Sequence, residues 1–400
     1  MARRADIVVA NTVAVQWSGA GTNYIIQTPG GVLYMVYVDS LSDVVFKKSS
    51  DGGLTWTNST VIHAGTASQL AVWYDRWSGL STDNILVAYT DSGDDDTRFR
   101  SIDTASSDAL STAVVVFLGA SAVAGGHISI TRSVSGNVYI KALIDAGAEG
   151  DFFRLTNANF PNGAWDNRAV DEAIATLDQM ILLPDFGAAD PDDCMAVFWD
   201  ASANQVSMKT YDNSGDAWGE TALSGTMTEL STATAFASFA IGIWPDTAVV
   251  TLAAWSATDA ANADLRYWDI SSPASAVEAT NVVLNSTDDQ GLCAVSLAPP
   301  TGSADYDIYV FYGGISSGGE TWNTSMHLYY KVSTDFGSTW GPETLLDVGQ
   351  LFTLRQLFSC PRVYSGPAVA AWVIDGAQND ALKISVDRTA PRATSLVGIM

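Results

Sequence analysis

Basic charge is scarce in this 400-residue chain, with 19 Lys and Arg against 44 Asp and Glu, a formal net charge of −25. A surface this acidic repels phosphate backbones and anionic lipid, which argues against nucleic acid or an anionic membrane as partner. Glu is scarce as well: Glu149, Glu172, Glu220, Glu229, Glu278, Glu320 and Glu343 are all there are, and the other acids are Asp. Asp seeds turns and Glu suits helices, so the imbalance points to many turns and few helices. The three cysteines, Cys194, Cys293 and Cys360, are odd in number and sit in apolar runs. They read as buried thiols rather than a disulfide framework. The three histidines, His63, His127 and His327, fall at different places along the chain's repeat and suggest no shared metal site. No apolar run approaches a membrane-spanning length, so no membrane insertion is expected. The N-terminal apolar run is broken by Asn11 and Thr12 and does not read as a signal peptide. No P-loop, G-x-S-x-G or Cys–His pattern occurs.

What is present is a repeat. Ser49-Ser50-Asp51-Gly52-Gly53-Leu54-Thr55-Trp56 returns as Ser333-Thr334-Asp335-Phe336-Gly337-Ser338-Thr339-Trp340, both reading S-x-D-x-G-x-T-W. The pattern suits a tight turn: Asp accepts from backbone N–H groups ahead of it, Gly supplies a positive φ, and Trp packs beneath the outgoing strand. Strand-like runs ending in Asp or Asn recur at Asp51, Asp103, Asn157, Asp212, Asp269, Asp335 and Asp387, roughly 50 to 65 residues apart. Each is preceded by two further apolar, β-branched runs, the last unit's being Leu357–Val363 and Ala368–Ile374. Units of this length suggest a propeller of four-stranded antiparallel blades, seven in number, with six as the alternative. The last unit is one strand short, and the stretch 5–16 has no unit of its own. It is expected to supply the outermost strand of the last blade and so close the ring, in a single domain over 1–400.

The octapeptide resembles the Asp-box (BNR) repeat of sialidase-like β-propellers. The resemblance implies that Ser49, Asp51, Gly53 and Trp56, with Ser333, Asp335, Gly337 and Trp340, are structural and lie on the face away from the ligand. On the opposite face, inner strands begin with Gln69, His127, Gln179, Gln290 and Gln356, and second strands end at Asp39, Asp91, Asp145, Asp200 and Asp375. The sixth unit has there a Gly-rich loop carrying Trp322. Amides, carboxylates and an indole suit a sugar, and the carboxylates also suit Ca²⁺, although no cofactor is required. The same residues equally serve to cap turns.

Sialidases of this fold carry an Arg-Ile-Pro motif on the first inner strand, where this chain reads Asn23-Tyr24-Ile25-Ile26-Gln27-Thr28. Three arginines converging on a carboxylate are not apparent either. A His127–Tyr24 pair for a polysaccharide lyase and a carboxylate pair for a glycosidase remain the enzymatic alternatives. The expectation is a non-catalytic structural or glycan/receptor-binding propeller. Its composition resembles propellers of virion proteins (phage tail, neck or capsid decoration), which implies virion localisation, other virion proteins as partners, and a place in a larger assembly.

Overall fold

The computed structural model describes residues 4–13, 23–74, 83–94, 96–117, 128–143, 149–168, 172–173, 180–200, 205–223, 239–244, 248–259, 262–272, 277–278, 281–285, 292–301, 305–314, 327–346, 354–366, 368–374 and 380–387. These residues build an all-β propeller. Helical structure among them amounts to one 3₁₀ turn, Asn157–Asn159. Among the described residues, seven antiparallel sheets follow one another along the chain. Their inner strands are Asn23–Gln27, Ala67–Tyr74, Ile128–Arg132, Met180–Pro184, Phe239–Trp244, Cys293–Ala298 and Leu354–Ser359. Each pairs with the next strand along the chain, and that strand pairs with a third.

Third strands end at Ser49, Asp103, Leu155, Asp212, Asp269, Ser333 and Asp387, at or just before the Asp or Asn that marks each unit. In the last sheet the outermost strand is Arg4–Val13, paired antiparallel with Asp380–Asp387 from Arg4↔Asp387 to Val13↔Asp380. The first and last described strands therefore share one sheet.

Burial explains why the second strands read as continuous apolar runs. Leu33–Val38 is buried at all six positions, because both faces of a middle strand are covered by neighbouring sheets. Shared apolar clusters join the sheets around the axis. Val36 and Val87 link the first and second sheets, and Ala88, Ile140, Val197 and Leu252 link the second to the fifth. Leu265 and Val310 link the fifth and sixth. Phe311, Trp372 and Met35 link the sixth, seventh and first. Each such Val, Leu or Phe contributes roughly 1.5–3 kcal/mol on full burial. Trp372 is fully buried, and truncating it would open the seam where the chain's two ends meet.

One strand differs from its expected bounds. The run Leu357–Val363 was expected as the last inner strand, but the ladder occupies Leu354–Ser359. Pro361 has no N–H to give to a ladder, so the strand ends before it and the chain turns away.

Candidate functional site

Both octapeptides fold into the same hydrogen-bonded turn. The Gly53 N–H donates to Ser49 Oγ at 2.8 Å, and Ser49 Oγ donates to Asp51 Oδ1 at 2.7 Å. Thr55 donates its N–H to Oδ1 at 2.9 Å and its hydroxyl to Oδ2 at 2.7 Å. The second copy repeats these contacts at 2.8, 2.8, 2.9 and 2.6 Å. Gly53 and Gly337 hold φ of 93° and 83°, the left-handed region that glycine adopts without strain. The Trp side chains act differently in the two turns. Trp56 Nε1 donates to Gly53 O at 3.0 Å, whereas the Trp340 ring meets Tyr267 of the neighbouring sheet edge-on.

At the opposite end, Asp39 and Asp91 brace the loops around them. Asp39 Oδ1 accepts from the N–H groups of Leu41 at 2.9 Å and Asp43 at 3.0 Å. Asp91 is 5% exposed. Its Oδ1 accepts from Thr66 Oγ1 at 2.5 Å and Gly93 N–H at 3.0 Å, and its Oδ2 lies 3.2 Å from His63 Nε2. Burial raises its pKa, but hydrogen bonds from Thr66 and Gly93 and the charges of His63 and Arg98 outweigh this and hold the carboxyl below the ordinary Asp value. His63 comes from the first sheet and stacks on Tyr89 of the second at 4.7 Å, so the cluster pins two sheets together. Arg98 pairs with Asp94, with Asp96 at 3.4 Å and with Asp91 at 3.7 Å. Of the carboxylates considered for Ca²⁺, Asp91 thus shares a guanidinium with Asp94 and Asp96.

Gln69 sits two residues into its strand and is 7% exposed, its Oε1 buried without a hydrogen-bond partner among the described residues. Gln356 is half-buried and pairs in register with Val373. Asp200 closes the second strand of the fourth sheet opposite Gln205. His127, Gln179, Gln290, Asp145, Asp375 and Trp322 lie outside the described residues; Gln69 and Asp91 share the second sheet, where Gln69 pairs with Thr90 and Asp91 with Ala67.

On the octapeptide side of the axis is a feature that sequence reasoning missed. Past Ser359 the chain runs as a strap over the inner strands. Pro361 O accepts from the N–H groups of Ile243 and Leu297, both at 3.1 Å, and Val363 N–H donates to Leu297 O at 2.8 Å. Gln27 Oε1 then accepts from Tyr364 and Ser365 N–H at 2.6 and 3.0 Å, while its Nε2 donates to Ser365 O at 3.0 Å. The strap thereby ties the seventh sheet to the fifth, sixth and first. Beneath it lies a cavity of about 60 Å³, walled by Tyr24, Val72, Trp73, Tyr74, Ile243 and Arg362 among others. Pro361 and the aromatic residues around it were the available signal.

The described arginines hold the fold together. Arg132 is fully buried, donating to Gly136 O at 2.8 Å and to Asn157 Oδ1 at 3.2 Å beneath the Phe160 ring. Arg154 pairs with Asp166 at 3.0 Å and Arg168 with Asp216 at 3.2 Å. Tyr24, considered as a lyase acid, donates its hydroxyl to Leu70 O at 3.2 Å. Burial raises its pKa far above the usual phenol value, which unfits it for proton delivery near neutrality. The three cysteines are buried thiols outside any disulfide, and burial pushes Cys360 up to about 12.

No family model and no curated protein matches the chain. Solved structures do. The BP39L lectin from Burkholderia pseudomallei is similar at 12% identity and a TM-score of 0.63, over 97% of this chain and 96% of that one. An ulvan lyase of a polysaccharide lyase family is similar at 10% identity and a TM-score of 0.50, over 96% of each chain. A sialidase from Trypanosoma rangeli gives 9% identity and a TM-score of 0.47, over 96% of this chain and 59% of that one. At such identities the likeness is one of fold, and the class it defines is the β-propeller.

Proposed function

We propose that this chain is a non-catalytic binding propeller, one blade per sheet and seven in all, that takes a glycan or glycosylated receptor at the end opposite the Asp boxes. The observation that carries this reading is the state of Asp39 and Asp91. Both belong to the acidic positions a hydrolase would draw on, and both already serve as acceptors for the loops they brace. A carboxylate so engaged would have to break those contacts to attack or protonate a sugar. The full-length likeness to a lectin fits the same reading. Binding is proposed to need no metal ion. The acidic, loop-rich surface suits a component of a larger particle, and a virion's tail, neck or capsid decoration is the proposed setting.

A glycan-array screen of the purified chain, with and without chelator, tests this, followed by hydrolysis and lyase assays on every glycan that binds. The expected result is chelator-insensitive binding without turnover, weakened in Trp322→Ala or Gln179→Ala. Turnover abolished by Asp39→Asn, Asp145→Asn or His127→Ala would overturn the proposal in favour of a carbohydrate-active enzyme.

A further inference from the structure

The second octapeptide carries a residue that its turn does not favour. Phe336 holds φ of 60°, at the position where the first copy has Gly52 at 71°. A bulky side chain is rare in this left-handed region because its Cβ crowds the backbone. The turn itself needs no ring here, since the first copy closes with the same hydrogen bonds around a glycine. The Phe336 ring is nonetheless 50% exposed. It meets Tyr306 edge-on at 5.3 Å, Tyr306 meets Trp244 at 5.8 Å, and Trp244 carries the Arg362 guanidinium at 4.8 Å. This row of rings ends inward on a cation, while among the described residues no cation meets Phe336 at its outer end. The surroundings are acidic. Asp269 and Asp305 are both exposed. Burial raises the Tyr306 phenol above its ordinary value, and these two carboxylates raise it further. Asp269 accepts from Ser271, whereas Asp305 has no hydrogen-bond or ion-pair partner among the described residues.

We propose that Phe336 is the docking point for an arginine of a basic polypeptide segment, the guanidinium stacking on the exposed ring while Asp305 and Asp269 attract the segment's charge. Arginine fits better than lysine because its planar group stacks on a ring and its N–H fork can still reach a carboxylate. The net charge of −25 draws such a segment in over longer range. This surface lies on the octapeptide side and does not depend on the glycan reading.

The test is fluorescence anisotropy of labelled penta-arginine, penta-lysine and penta-citrulline (the neutral analogue of arginine) titrated with the full chain at about 0.15 M salt. The arginine peptide is expected to bind saturably, the lysine peptide more weakly, and the citrulline peptide at least about tenfold more weakly. Phe336→Gly, which keeps the net charge and copies the first octapeptide, should weaken the arginine peptide about threefold to tenfold without lowering the urea midpoint. Phe336→Trp should restore binding, because indole offers cations the stronger face. Asp305→Asn should weaken it about twofold to fivefold. Equal binding of the arginine peptide by the native chain and Phe336→Gly would reduce the contact to diffuse attraction by an acidic surface and overturn the proposal. So would equal binding of arginine and citrulline peptides by the native chain, or no binding up to about 1 mM. An oligosaccharide whose binding is lost in Phe336→Gly would assign the ring to a sugar instead and overturn it likewise.

Discussion

Ser49→Ala probes the turn that follows the third strand in the two sheets carrying the octapeptide. Ser49 is 2% exposed, and its Oγ accepts the buried Gly53 N–H at 2.8 Å while donating to Asp51 at 2.7 Å. Alanine leaves the Gly53 N–H buried without a partner, a loss of about 1–3 kcal/mol. The bond to Asp51 adds under about 1 kcal/mol, because water reaches that carboxylate and replaces it. The sum is about 1–4 kcal/mol, which for a chain of this length lowers Tm by about 1–5 °C at roughly 2.1 cal/mol/K per residue. Ser333 has the same contacts, at 2.8 Å each, and is 1% exposed. Ser333→Ala should therefore destabilise equally. The double variant should equal the sum, since the two turns share no hydrogen-bond partner. Urea unfolding followed by fluorescence measures all three. A change under about 0.5 kcal/mol, or one confined to a single copy, would refute the claim that the serine hydroxyls hold these turns.

Two carboxylates should respond to pH in opposite directions. Burial raises the pKa of Asp185 although Gly187 and Ala188 N–H groups oppose the shift, so ionisation above the unfolded value near 3.9 costs stability as pH rises through the folded value. Asp185→Asn keeps an acceptor and should stabilise at pH 7, the gain vanishing below about pH 4 in pH-dependent denaturation. Asp91 is held low, so its contribution is present above its unfolded value and lost as pH falls through the folded one. Asp91→Asn should destabilise at pH 7 and approach wild type on acidification. Lys47 Nζ donates to Val9 O at 2.8 Å across the closing seam. Lys47→Met should speed amide exchange in Val8–Ala10 about tenfold, read by hydrogen-exchange mass spectrometry. Gly52 holds φ of 71° with open space where a Cβ would stand. Gly52→Ala should cost about 1 kcal/mol of purely conformational origin in thermal melts.

The repeat was legible because each unit marks its third strand with a turn acid. Asp103, Asp212, Asp269 and Asp387 end such strands, and the octapeptides at 49 and 333 follow two more. The closing strand was legible because the last unit lacked a fourth partner and the stretch 5–16 lacked a unit; the structure pairs Arg4–Val13 there. The site was less legible. A turn carboxylate such as Asp39 looks the same in sequence whether it faces a ligand or its own loop, and here the nearest donors are the N–H groups of Leu41 and Asp43. The strap was hidden inside an apolar run, with Pro361 the clue that the ladder must stop. The cavity beneath it gathers residues from three sheets and the strap, a juxtaposition that local pattern does not reveal.

Whether the chain binds a glycan without transforming it is settled most directly by recovering the bound sugar. The purified protein is incubated for a day with the oligosaccharide that binds best on the array, in excess, and the sugar is released and weighed by mass spectrometry. The account predicts saturable binding and an intact oligosaccharide. Shortened or unsaturated products that accumulate with time would contradict it and place a catalytic centre in this propeller.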